Sequence, residues 1–339
     1  MRSPLLALTL ALSCGVAVIG PLRLGAQTGA TAKPAWSPTR TADGQFDLEG
    51  VWDFSTITPL ERPTTLANKQ TLTDEEAVTF EREENQRQNR DLIDPKKGGA
   101  QYLPGSVIPY NEFWYERGSK IIGDKRTSLI VNPPDGRIPP LTPEAQKRLD
   151  AQAAVARDEQ LGIVRADSYL DRSLADRCIL GFNAGPPMTP GAYNNHVQIS
   201  QAPGYVTLVV EMVHDARVIP VDGRPRLPAR IPQYKGDSQG RWDGRTLVID
   251  TTNFLRETSF RGSSARMHLV ERLTRVDAET LLYEFTVEDS STWTKPWTAV
   301  IPMKKVDTPI YEYACHEGNY ALPNILRGAR LQDSKGPAR

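Results

Sequence analysis

The chain has 339 residues, 39% of them hydrophobic, which allows one large domain or two small ones around a substantial core. Lysine plus arginine equals aspartate plus glutamate at 41 each, with no long block of like charge. A nucleic-acid binder carries a basic stripe, so nucleic acid is not an expected partner.

The first residues have the layout of a secretory signal. Arg2 supplies the positive start, and Leu5 to Ile19 is a nearly unbroken apolar run closed by Pro21. Small residues before Gln27 and before Lys33 offer cleavage sites, and residues 1–26 are read as the signal. The apolar run falls short of the roughly twenty residues of a membrane span, and no longer run follows. Export to the periplasm or medium, without stable membrane insertion, is therefore expected. Cys14 follows Ala-Leu-Ser, so lipid attachment there stays open. Signal removal leaves Cys178 and Cys315, an even pair in an oxidising compartment, and a disulfide is expected. Two buried free thiols are the alternative.

Residues 27–45, rich in Thr, Ala, Pro and Gly, read as a flexible lead-in. Phe46 to Phe54 alternates apolar and polar residues as a short strand. Thr73-Asp-Glu-Glu76 is a capping box opening a polar helix over 73–92, and Thr142-Pro143-Glu144 starts a second helix over 142–159. The proline-rich stretches 132–140 and 180–193 must be loops. From Asn194 on, the period becomes two. Strands are predicted around Val197 and Ile199, then over 205–213, 246–250, 267–276, 281–287, 297–303 and 310–314, with Asp243-Gly244 as a hairpin turn. No helix-after-strand alternation occurs, so the expected fold is mainly β, an antiparallel barrel or sandwich with an irregular, partly helical N-terminal part. Val51 and Trp52 are too apolar for a linker and too few for a core of their own. Residues 46–330 are accordingly read as one domain.

Candidate chemistry lies among the strands. Four histidines, His196, His214, His268 and His316, lie in the second half, and three of them have a carboxylate within three residues, the makings of acid–base catalysis. Glu271 shares a strand face with Met267, Leu269 and Leu273, and Glu211 lies between Val209 and Val213 on its own face. A carboxylate in apolar surroundings is costly to bury and marks a candidate working site, or else a structural pair with an arginine. Tyr313 and Arg217 are candidates to stabilise developing negative charge. Asn194, Asn195, His196, Trp293, Trp297 and Tyr311 offer a surface for an apolar, aromatic or sugar-like ligand. No metal-ligand spacing, nucleophile elbow, phosphate loop or dinucleotide fingerprint is present, and neither metal nor cofactor is expected. Two functions stay open: a cofactor-independent lyase, isomerase or hydrolase acting on a small molecule, and a binding protein without turnover.

Several segments carry a resemblance. They are Asp47-Leu-Glu-Gly-Val-Trp52, Asn111-Glu-Phe-Trp-Tyr-Glu-Arg-Gly118, Asp135 to Glu144, Gly240 to Asp250, His268-Leu-Val-Glu-Arg272, Trp293-Thr-Lys-Pro-Trp297 and Tyr311-Glu-Tyr-Ala-Cys-His-Glu-Gly-Asn-Tyr320. Together the chain resembles a family of exported bacterial proteins found in acidobacteria and proteobacteria, of no settled activity. The resemblance implies export and a lipocalin-like barrel or half-barrel. It assigns no catalytic residue.

Overall fold

The computed structural model describes residues 36–92, 111–160, 166–181 and 183–335. The expected signal (residues 1–26), Cys14 and residues 27–35 of the lead-in lie outside the described residues. From Trp36 onward the chain forms one compact unit.

Ten strands form one antiparallel sheet: β1 (Gly50–Asp53), β2 (Ile130–Asn132), β3 (His196–Ala202), β4 (Tyr205–Val210), β5 (Asp215–Pro220), β6 (Asp237–Asp243), β7 (Thr246–Thr252), β8 (His268–Arg275), β9 (Thr280–Glu288) and β10 (Trp297–Val306). Nine of them follow the order β5-β4-β3-β1-β10-β9-β8-β7-β6, and the sheet curls into a nearly closed barrel. β1 lies between β3 and β10, which puts the N-terminal part into the same sheet as the C-terminal half. β2 pairs with the other end of that edge of β10.

The alternation read from the sequence is the alternation of burial. On β8 and β9, Leu269, Glu271 and Leu273, and Leu281, Tyr283, Phe285 and Val287, all point inward. Trp297, Ala299, Ile301 and Met303 of β10 join the same core. No backbone ladder links the edge strands β5 and β6, which meet through side chains instead. A Cβ on Gly240 would lie 2.7 Å from Val221 and 3.2 Å from Ile219, so the glycine lets the two edges approach.

Three helices accompany the barrel: α1 (Asp74–Gln88), α2 (Pro143–Gln160) and α3 (Ala321–Asp333). α1 opens on the expected capping box, Thr73 with Glu76, and buries only Ala77. α2 lies against the loops before β8 and β10, where Arg148 donates to Gly262 O (2.8 Å) and Thr292 Oγ1 (2.9 Å). No described helix is long and apolar enough to cross a membrane.

Three expectations need correction. The strand expected over 205–213 ends at Val210, because Asp215 already pairs with Val210 and residues 211–214 must make the turn. Residues 310–314 form no strand: β9 takes one edge of β10, and β1 and β2 together take the other. Residues 321–333 are helical, which the sequence reading did not anticipate. Cys178 and Cys315 are bonded, with Cα atoms 5.8 Å apart, and tie the segment after β10 to the loop before β3.

Candidate acid–base centre at the barrel rim

Three clusters hold the candidate residues. The first fills the barrel interior. Glu271 on β8 is fully buried, and Arg217 of β5 donates to its Oε2 at 2.5 Å. Tyr283 of β9 donates to Oε1 at 2.7 Å, and its hydroxyl accepts the Met188 N–H at 3.1 Å. Burial, with the Glu271 charge beside it, holds the Tyr283 hydroxyl well above its usual pKa. Met188 belongs to a segment, 184–188, that plugs the barrel. At Gly185 the backbone has φ +78°, and a Cβ would sit 2.6 Å from the Pro187 carbonyl carbon. The space left between Ala184, Met188, Leu208, Asp215 and Arg217 is about 10 Å³. That is about the least that holds a single water molecule, and far too little for a ligand. Glu271 and Arg217 thus form a buried ion pair, in which Arg217 Nε is left without a hydrogen-bond partner.

The second cluster is on the outer face. His268 sits between Asp250 (Nε2 to Oδ2, 2.9 Å) and Glu288 (Nδ1 to Oε2, 3.2 Å). Burial pulls its pKa down, but the two carboxylates outweigh this and hold it above the usual value. Arg226 also pairs with Asp250. As expected from strand parity, His268 and Glu271 face opposite ways.

The third cluster lies at one rim, where β3 begins and β4 ends. His196 Nδ1 stands 3.3 Å from Glu211 Oε2 and 4.0 Å from Glu116 Oε1. Glu211 is 2% exposed, and Asn194 donates its amide to Oε1 at 2.6 Å. The position of Glu211 follows from the short β4: its N–H bonds His196 O (2.9 Å) and its carbonyl takes His214 N–H (2.9 Å), so the carboxylate faces the start of β3. Glu116 arrives from a distant loop. Its N–H bonds Ala192 O, and its carbonyl accepts the Asn195 amide at 2.8 Å. Partial burial raises the Glu116 pKa; Glu211 and Asp53 push the same way, against His196 and the Asn194 backbone. Its side chain is 56% exposed, so solvent screens this effect. Asp53 enters because β1 pairs it with His196.

The remaining expected residues divide. Trp293 and Trp297 are buried in the core against each other, ring centroids 5.8 Å apart, with Trp293 at the base of a pocket beside His268 and Glu288. Asn195 is fully buried, with its amide group bonded to Gly191, Asn183 and Glu116, so it positions Glu116 instead of touching a ligand. His214 Nδ1 contacts Tyr311 O at 3.2 Å, and the Tyr311 side chain is exposed. Tyr313 packs against the core, and His316 is exposed and joins none of the three clusters. Glu116 is the functional candidate that sequence reasoning missed: it lies eighty positions before His196. No family model, curated protein or solved structure matches the chain.

Proposed function

We propose that this chain is an exported enzyme that carries out acid–base chemistry on a small molecule at the rim formed by Glu116, His196 and Glu211. The supporting observation is the convergence of two carboxylates and an imidazole whose donor atoms all lie within 4.8 Å of one another. Glu211, held by Asn194, is the general base, and His196 is its proton-transfer partner. The rim gathers Asp53, Glu116 and Glu211 around a single imidazole, so it favours a neutral or cationic substrate over an anionic one. A sugar-like or phenolic molecule fits that charge, and lyase, isomerase or hydrolase chemistry is within reach of such a pair. The disulfide supports export, since such bonds persist in oxidising compartments. A lipocalin-like binder holding its ligand inside the barrel is less well supported, because the segment 184–188 and the Glu271–Arg217 pair occupy that space.

The test is turnover by the exported protein. The purified chain is incubated with pools of aryl glycosides, lactones, aryl esters and epoxides, and the products are followed by mass spectrometry. Glu211→Gln and His196→Gln should abolish turnover with the fold intact. Turnover that survives both substitutions would refute the assignment.

A further inference from the structure

The rim cluster has a charge and hydrogen-bonding deficit that its protein neighbours do not fill. Among the described residues His196 is the one cationic side chain paired with Glu116 and Glu211, beside hydrogen bonds from Asn194, and no lysine or arginine bonds either carboxylate. The two clusters that resemble it differ here: Glu271 has Arg217, and Asp250 has Arg226 as well as His268. His196 Nδ1 is buried and has no hydrogen-bond partner, although Glu211 Oε2 is only 3.3 Å away. The carboxylate oxygen is near the ring nitrogen but not in line with an N–H. A buried nitrogen in that state costs free energy unless something accepts or fills its lone pair.

We infer that Glu116, His196 and Glu211 form a binding site for one divalent first-row cation, of the zinc or manganese type. This rests on the same centre as the proposed function and adds the ion to it: while the ion is bound, Glu211 Oε2 and His196 Nδ1 serve as its ligands rather than as base and proton partner. One imidazole nitrogen and two carboxylate oxygens are a donor set that suits these ions. Ligands held about 2.0–2.2 Å from one tetrahedral cation lie roughly 3.3–3.6 Å from each other. The His196–Glu211 separation of 3.3 Å already matches, while Glu116, whose side chain is 56% exposed, stands 4.0 Å from His196 in a donor set spanning up to 4.8 Å. Asn194 occupies Oε1 of Glu211 and leaves Oε2 for the ion, a support of the kind that orients metal-binding carboxylates. Three protein ligands leave at least one coordination position for water or substrate, as in catalytic rather than structural sites. A cation there neutralises the carboxylates and acts as a Lewis acid on a bound small molecule.

The experiment uses the tag-free chain, stripped with EDTA and dialysed, and titrated with zinc chloride and manganese chloride by calorimetry. At least one ion should bind at one per chain with a dissociation constant tighter than about 10 μM. Glu116→Gln and His196→Gln should each weaken it by about 100-fold or more, and Asn194→Ala by about 10–100-fold. His268→Gln, in the other histidine–carboxylate cluster, should leave it unchanged. Glu116 is largely exposed, so its variant keeps the fold and decides the matter even where His196→Gln does not. Absence of saturable binding by either ion below about 1 mM would overturn the inference. So would binding that survives both Glu116→Gln and His196→Gln. Full turnover by the stripped protein, lost in Glu211→Gln, would overturn the cation site and leave the acid–base enzyme standing. Cation binding as described, with turnover indifferent to Glu211→Gln, would do the reverse.

Discussion

Replacing Glu271 by glutamine separates structure from chemistry inside the barrel. The carboxylate is fully buried and carries two bonds, from Arg217 at 2.5 Å and from Tyr283 at 2.7 Å. Glutamine keeps the volume and one acceptor oxygen, so the Tyr283 bond survives. Arg217, whose side chain is 11% exposed, loses its counter-charge in the interior. Breaking a buried pair on one side costs about 3–5 kcal/mol, because the remaining charge is left without compensation. A chain with about 300 ordered residues shifts its melting temperature by roughly 1.6 °C per kcal/mol, so the variant should melt about 5–8 °C lower. Calorimetry and urea unfolding measure the loss. Replacing both partners, Glu271→Leu with Arg217→Met, should recover most of it, since a packed apolar pair avoids both desolvation costs. A Glu271→Gln variant within about 1 kcal/mol of the parent would refute the reasoning. So would a double variant less stable than the sum of the two single ones.

Reduction should destabilise the chain: the Cys178–Cys315 bond closes a loop of 137 residues, about 4–5 kcal/mol in the loop-entropy model. Thiol titration of the unreduced, denatured protein should find neither cysteine free, and unfolding curves with and without reductant should differ accordingly. His268 has a raised pKa in the folded state, so its ionic contribution is fully present below the unfolded value near 6.5 and is lost as pH rises through the folded one. The stability difference between parent and His268→Gln should therefore shrink from acidic to alkaline pH, and a flat difference would contradict the pairing with Asp250 and Glu288. Gly185→Ala should cost at least about 2 kcal/mol, because a Cβ at φ +78° meets the Pro187 backbone. Val213 has φ +61°, so Val213→Gly should be more stable than Val213→Ala by about 1 kcal/mol, against the usual order of these residues.

Much of the barrel was legible because its inward residues repeat with period two over β8, β9 and β10, where both neighbours are hydrogen-bonded strands. The edges were not. β5 carries Asp215, Arg217 and Pro220, and β6 is mostly polar with Gly240 where an apolar residue would signal a strand. Edge strands need only one partner and tolerate such residues, so their periodicity is weak. The segment 310–314 misled for the opposite reason: Ile310, Tyr311 and Tyr313 look like a strand, but pairing depends on a free edge that sequence does not show. Glu271 was recognisable as buried from its face alone, while its partner Arg217 needed the barrel to close. The rim centre was half visible. Asn194, His196 and Glu211 drew attention as polar residues among strands, whereas Glu116 reaches them only through the Asn195 amide and the Ala192 carbonyl.

Backbone strain gives an independent reason to propose the rim as the working centre. Among the described residues, seven other than glycine have positive φ, and three of them, Asn194, Val213 and His214, flank Glu211 and His196. Cys178 is a fourth, and Gly181, three residues on, packs against Met212 and Val213: a Cβ there would lie 2.4 Å from Val213. Asparagine tolerates this conformation, but valine is β-branched and does so only under constraint. Each such residue costs about 1–3 kcal/mol and persists only where surrounding contacts outweigh it. Those contacts are present: β4 and β5 pair on both sides of the turn, Glu211 N–H bonds His196 O, and the disulfide anchors the segment that holds His214 through Tyr311. A relaxed turn with glycine at 213 would satisfy β4 and β5 equally well. The strained turn begins at Glu211, whose buried carboxylate stands 3.3 Å from the imidazole of His196.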